Sequence, residues 1–175
     1  MNCFAGLIVS ILLAIMLLCT GCASDPTQGY APVSVYPDNI STVAVNIFKN
    51  NSFSREIEFE LADALVKEIE ARSPYKVTSS SRADTILTGT VRNVQRDQLS
   101  KSRLTGLSEE VLLSVTIDFK WTDQRTGRSL VERKSFTGHA PFFPSRPTGE
   151  LIELGEFAVV QLLARDIVNE MQANW

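Results

Sequence analysis

Apolar side chains recur along this chain with three different spacings, and each spacing predicts a different kind of element. From Phe4 to Leu18 almost every residue is apolar and none is charged. A run of about fifteen such residues is shorter than the roughly twenty that a membrane-spanning helix needs, and it fits the apolar core of a signal peptide. From Ser54 to Arg72 the apolar positions Ile57, Leu61, Leu65 and Ile69 return every fourth residue, with Ala62 and Val66 beside them. That spacing predicts a helix with one apolar stripe. Glu56 and Glu58 suit its positive N-terminal end, Arg72 suits its negative C-terminal end, and Ser73-Pro74 stops it. From Val111 to Trp121 the spacing is two: Val111, Leu113, Val115, Ile117, Phe119 and Trp121 alternate with Leu112, Ser114, Thr116, Asp118 and Lys120. Alternation of this kind predicts a strand with one buried face.

The remaining elements follow from shorter signals. Thr42 to Phe48 (TVAVNIF) is apolar on both faces, as in a central, doubly covered strand. Tyr75 to Thr78 is a short strand, and Ala83 to Val94 is a longer one in which Gly89 marks a bulge or a close approach. Asp123 to Gly127 (DQRTG) predicts a hairpin loop, and Ser129 to Thr137 the returning strand. Pro141, Pro144 and Pro147 then interrupt regular structure. Gly149 to Trp175 predicts a last helix, with Phe157, Val160, Ala164, Val168 and Met171 on one stripe and Leu154, Leu163 and Ile167 widening it. The order β-α-β-β-β-β-α predicts an α+β fold: a two-layer sandwich with both helices on one face of a mixed four- to five-stranded sheet. The other face, with Ser114, Thr116, Asp118 and Lys120, is polar enough to meet water or a polar lumen.

The end of the first apolar run adds a processing site. Leu18-Cys19-Thr20-Gly21-Cys22-Ala23-Ser24-Asp25 places two small residues before a cysteine, the bacterial lipobox pattern. Cleavage after Gly21 would make Cys22 the new N-terminus and its thiol the lipid acceptor. Cys19 stands where an apolar residue is usual, and residues 1–22 carry no Lys or Arg. The plainer reading is an ordinary secretory signal with Cys22 unmodified. Lipidation is favoured over it, because a lone thiol in an exported protein is otherwise a liability. The expected organisation is a signal peptide over 1–21, a lipidated N-terminus and tether over 22–39, and one α+β domain over 40–175. Pro26, Gly29, Pro32 and Pro37 give the tether its extended character.

Composition narrows the chemistry. Past Cys22 the chain has no cysteine, so no internal disulfide holds the domain, and zinc bound by Cys and His is excluded. His139 is the only histidine, no phosphate-binding glycine motif occurs, and Glu109-Glu110 reads as a solvated strand end. The expectation is a protein without catalytic residues, cofactor or metal. A net charge of −3 gives no broad basic footprint for nucleic acid. What stands out is local. Arg96 to Leu107 (RDQLSKSRLTGL) reads as a loop carrying Arg96, Lys101 and Arg103 against the single acid Asp97, with Arg92 nearby and Arg146 between Pro144 and Pro147. Cations gathered at one end of a sandwich would suit phosphates or another acidic headgroup.

Three stretches resemble the LPS-assembly lipoprotein family, LptE. They are Gly29-Tyr30 with Ile40 to Asn50 (ISTVAVNIFKN), the helix Glu60 to Val77 (ELADALVKEIEARSPYKV), and the strand Ala83 to Gly89 (ADTILTG). The resemblance covers nearly all of the chain after the signal segment, in element order as well as in these segments. It implies a lipid-anchored protein on the periplasmic face of the outer membrane. Such a protein plugs the large β-barrel partner LptD, binds lipopolysaccharide and helps deliver it to the outer leaflet, without catalysis. It also implies that basic loop residues contact the glycolipid, here Lys101, Arg103 and Arg146, with Arg96 as a further candidate. The alternative is another periplasmic lipoprotein, an accessory of a secretion channel or a cell-wall synthase, that binds protein alone.

Overall fold

In the computed structural model the residues described are 36–37, 39–101, 103–104, 106, 108–144 and 151–172. Eight elements run in order: β1 (Thr42–Val45), β2 (Lys49–Asn50), α1 (Ile57–Arg72), β3 (Lys76–Val77), β4 (Thr85–Lys101), β5 (Ser108–Asp123), β6 (Ser129–Phe142) and α2 (Ile152–Glu170). They make one mixed sheet in the order β3-β1-β4-β5-β6, with β2 also on β4. β1 is parallel to β3 and to β4, while β4, β5 and β6 are antiparallel to one another.

The α+β arrangement expected from the sequence is present, but the sheet has six strands rather than four to five. The difference arises at the end of TVAVNIF and just beyond it. β1 ends at Val45, opposite Leu87, and β2 resumes at Lys49, opposite Thr90. Four residues on one side thus match three on the other; the expected strand stops three residues early, and pairing resumes just beyond its predicted end as an additional short strand. The second difference is length. β4 runs on to Lys101 and β6 to Phe142, so Arg96 lies in a strand rather than in the expected loop, and Pro141 sits in β6. β6 is the edge strand, where proline is tolerated at positions whose N–H would face away from the sheet.

Alternation along β5 sorts the two faces of the sheet. Leu113, Val115, Ile117, Phe119 and Trp121 are buried on the helix side, while Leu112, Ser114, Thr116, Asp118 and Lys120 face the open side. α1 contributes Ile57, Leu61, Ala64, Leu65 and Ile69 to the core, and α2 contributes Val159, Val160, Leu163, Ala164, Ile167 and Val168. Two glycines let these layers close. A Cβ on Gly89 would fall onto the Phe48 ring and 2.6 Å from the Asp118 carbonyl oxygen, and one on Gly138 would lie 2.6 Å from Leu163 Cγ. Gly89 therefore marks a close approach, one of the two roles its place in the strand predicted.

The expected stripe on the last helix needs one correction. Leu154 and Phe157 are both 56% exposed. Gly155 packs on Phe142 and starts the core-facing line that Val159, Leu163 and Ile167 continue. Phe157, two residues on, is turned roughly 200° away from Gly155 around the helix.

Candidate functional site

The antiparallel ladder defines a root and a tip. At the root, Thr85 of β4 pairs with Asp123 of β5, and Tyr75 lies between Tyr36 and Trp121, with ring centroids 5.4 and 5.8 Å away. At the tip, Lys101 pairs with Ser108. Sixteen or so residues of strand at about 3.3 Å each put roughly 50 Å between the two. β6 ends at the tip, since Phe142 pairs with Val111, and α2 begins there, since Gly155 touches Phe142. Ser54, ahead of α1, donates to Glu156 of α2 at 2.8 Å, which brings the start of α1 to the same side.

The sequence-derived cations separate on this frame. Lys101 closes β4 and Arg103 lies in the turn after it, both exposed. Arg96 sits five residues back on the helix side and reaches Glu156 Oε1 at 3.4 Å, so it ties β4 to α2. Arg92 points to the opposite face, where it donates to Asp118 Oδ2 from Nε at 2.7 Å. Lys101 and Arg103 are thus together at the tip, while Arg96 and Arg92 are occupied on the two faces of the sheet. Cys22 and Arg146 lie outside the described residues.

The tip has a second property that the charge pattern alone did not reveal. Leu99 and Leu104 flank the two cations and are 53% and 98% exposed. Phe143, Leu151, Leu154 and Phe157 are exposed on the neighbouring end of β6 and start of α2, and Phe53 on the segment before α1. Exposed large apolar side chains gathered toward one end of a fold make that end a candidate for binding. Its one signal in the sequence was the presence of Leu99 and Leu104 within an otherwise polar stretch; Leu154 and Phe157 fell on the expected apolar stripe of the last helix and gave none. Cations interleaved with exposed apolar groups suit an amphiphile with an acidic head.

Acids qualify that picture on the helix side of the tip. Glu60 is held above the usual carboxylate range by burial first, then by Glu156 and Glu56. Glu56 itself caps α1 with a left-handed backbone, φ 71°, and no side-chain capping bond. Asn50 orders the segment between β2 and α1, accepting from the Ser52 N–H at 2.8 Å and donating to Glu58 at 2.7 Å. Among the described residues no group of three or more His, Cys, Asp or Glu could hold a metal ion, and no helix is long and apolar enough to cross a membrane.

Comparison with known proteins adds a family and a set of folds. Residues 40–174 match the sequence model of the family described as LptE, lipopolysaccharide-assembly. No curated protein sequence matches the chain. Among solved structures, a Xanthomonas campestris protein is similar with a TM-score of 0.54 and 15% identity, covering 73% of this chain and 81% of its own. A minor lipoprotein from Acinetobacter baumannii gives 0.51 and 16%, covering 76% and 93%. The PelC dodecamer from Paraburkholderia phytofirmans gives 0.50 and 16%, covering 79% and 93%. At these identities the likenesses speak to the fold alone.

Proposed function

Since the chain belongs to the LptE lipopolysaccharide-assembly family, we propose that it is an outer-membrane lipoprotein that helps bring lipopolysaccharide to the cell surface. It is anchored through a lipid on Cys22, faces the periplasm, and works as the plug and partner of an LptD-like β-barrel. Its role is to bind and hand over, without catalysis. The family match over residues 40–174 carries this reading.

The tip of the β4–β5 hairpin supports a place for the glycolipid. Lys101 and Arg103 would donate charge-assisted hydrogen bonds to lipid A phosphates, each contributing about 1.5–3 kcal/mol where partly desolvated. Leu99 and Leu104 would lie against the acyl chains, and Arg146 would add a third cation. Arg96 contributes less directly, by holding β4 against α2 through Glu156.

The test is a titration of labelled lipopolysaccharide against wild type and the Lys101→Glu/Arg103→Glu/Arg146→Glu variant at two salt concentrations. The expected result is a loss of well over tenfold in affinity, a weaker wild-type interaction at high salt, and unchanged co-purification with the barrel. Equal affinities would remove the tip as the site. Absence of any binding by the wild type would shift the reading to a lipoprotein accessory that binds protein alone.

A further inference from the structure

The sheet face that the helices leave open carries a second basic cluster, assembled by strand register from residues far apart in sequence. β2 sets Lys49 opposite Thr90, and β4 sets Thr90 opposite Asp118. The next row runs from Thr88 through Lys120 to Glu132. Both rows project to the side away from the core, since their neighbours Val91 and Phe119 are buried on the helix side. With Lys134 they line a cleft of about 390 Å³.

The acids in this cleft are already engaged. Asp118 Oδ2 accepts from Arg92, and its Oδ1 accepts the Ser135 N–H at 2.9 Å. Ser135 is the bulged residue of β6, with φ 52°, and its left-handed turn aims that N–H at the carboxylate. Glu132 lies 3.7 Å from Lys120. Among the described residues, the ion pairs formed here are Arg92 with Asp118 and Lys120 with Glu132, which leaves Lys49 and Lys134 without an acid within ion-pair distance. Two further ammonium groups on one concave surface, beside the Thr88 and Thr90 side chains, leave it net positive once those pairs are counted as neutral, with Lys134 also helping to hold the Asp118 carboxyl below its ordinary value. A phosphate monoester carries about −1.5 to −2 at neutral pH, whereas a carboxylate would balance only one of the two cations.

We infer that this open-face cleft is a phosphate site, with Lys49 and Lys134 as its cations and Thr90 as a hydroxyl donor, joined by Thr88 once its hydroxyl turns from the Lys120 carbonyl, to which it donates at 3.4 Å. Lysine suits the role as a compact point charge on a flexible stem, able to close on a tetrahedral anion from either side. The site lies on a different surface from Lys101 and Arg103 and does not depend on the glycolipid reading. Its ligand is either free phosphate or a phosphorylated saccharide, which share the chemistry.

The experiment titrates inorganic phosphate, glucose 6-phosphate and glucose separately into the isotope-labelled mature protein and follows backbone amide shifts. Both phosphates should move Lys49, Thr88, Thr90 and Lys134, and glucose should not. Lys49→Gln/Lys134→Gln should weaken phosphate at least tenfold with the rest of the spectrum retained, while Lys76→Gln, exposed on β3, should leave it unchanged. Tighter binding of the sugar phosphate would support a phosphorylated saccharide as the source, and equal binding would support free phosphate. Shifts confined to other residues, equal affinity in the Lys49/Lys134 variant, or no response of the wild type to either phosphate would overturn the inference.

Discussion

The root and the tip of the β4–β5 hairpin belong to the same pair of strands, yet they live in opposite environments. At the root β4 is an interior strand, flanked by β1 and then β2 on one side and by β5 on the other. Thr85, Leu87 and Val91 are buried there, and Trp121 of β5 is 1% exposed. Beyond Val91 no strand is paired to the outer edge of β4 among the described residues, and Arg92 to Lys101 is mostly exposed. What differs is the number of neighbours. A strand buried on both sides contributes to stability, whereas one with a free edge and polar side chains is available for binding. Its charges also discourage edge-to-edge pairing with another chain.

The sharpest way to break this comparison is to delete an apolar side chain at each end. Trp121→Ala should cost about 3–5 kcal/mol, a large share of the roughly 5–15 kcal/mol that stabilises a domain. Leu104→Ala, 98% exposed at the tip, should stay within about 0.5 kcal/mol. Urea unfolding of the two variants measures both, and similar midpoints would mean that the tip is packed rather than free.

A smaller effect is expected from overpacking the root. Gly89→Ala adds one methyl where the Phe48 ring and the Asp118 carbonyl already stand. The strand must shift or Phe48 must leave its place, at about 1–3 kcal/mol. Thermal unfolding of Gly89→Ala should show the loss, and a second change at Phe48 to a smaller residue should not add its full cost, because the two sites share one contact.

The least expected change is a dependence on pH whose sign differs between the two regions. Near the root, Asp84 accepts from Thr42 Oγ1 at 2.9 Å and from the N–H groups of Ser41 and Thr42 at 3.1 and 3.0 Å. The Thr42 hydroxyl, then the Ser41 N–H, hold its carboxyl below the ordinary 3.8. Its contribution is therefore complete above about 3.8 and is lost as pH falls through the lower folded value. On the tip side Glu60 is raised above 4.5 by burial, then by Glu156 and Glu56. Protonation favours the folded state there, so stability is gained as pH falls from the raised value toward 4.5. Unfolding midpoints between pH 2 and 6 should show a shallower acid-side decline in Asp84→Asn, since Asp118 and Asp123 are lowered too, and a smaller gain in Glu60→Gln. A profile unchanged by either variant would show that neither carboxyl is linked to folding.

Much of this architecture was legible in residue order. Alternation from Val111 to Trp121 identified the buried and open faces of β5 because strand side chains have a period of two, whatever packs against them. The fourfold spacing from Ile57 to Ile69 did the same for α1, whose observed buried set contains all four of Ile57, Leu61, Leu65 and Ile69. The α+β order and the membership in the LptE family were also readable there, since both reside in local patterning and segment similarity. Three things were not. The early end of β1 at Val45 and the short β2 after Phe48 could not be read from TVAVNIFKN, because a one-residue mismatch with β4 leaves no mark on composition. Arg92, Arg96 and Lys101 looked like one basic cluster, yet register sends Arg92 to Asp118 and Arg96 to Glu156 and leaves Lys101 at the tip. Lys49 and Lys134 are far apart in the chain and belong to no basic run, and only strand order brings them to one cleft. Periodicity is a property of neighbours along the chain, so the sequence determined the elements and their inward faces. Which charges meet depends on pairing between distant segments, and only the tertiary structure decided that.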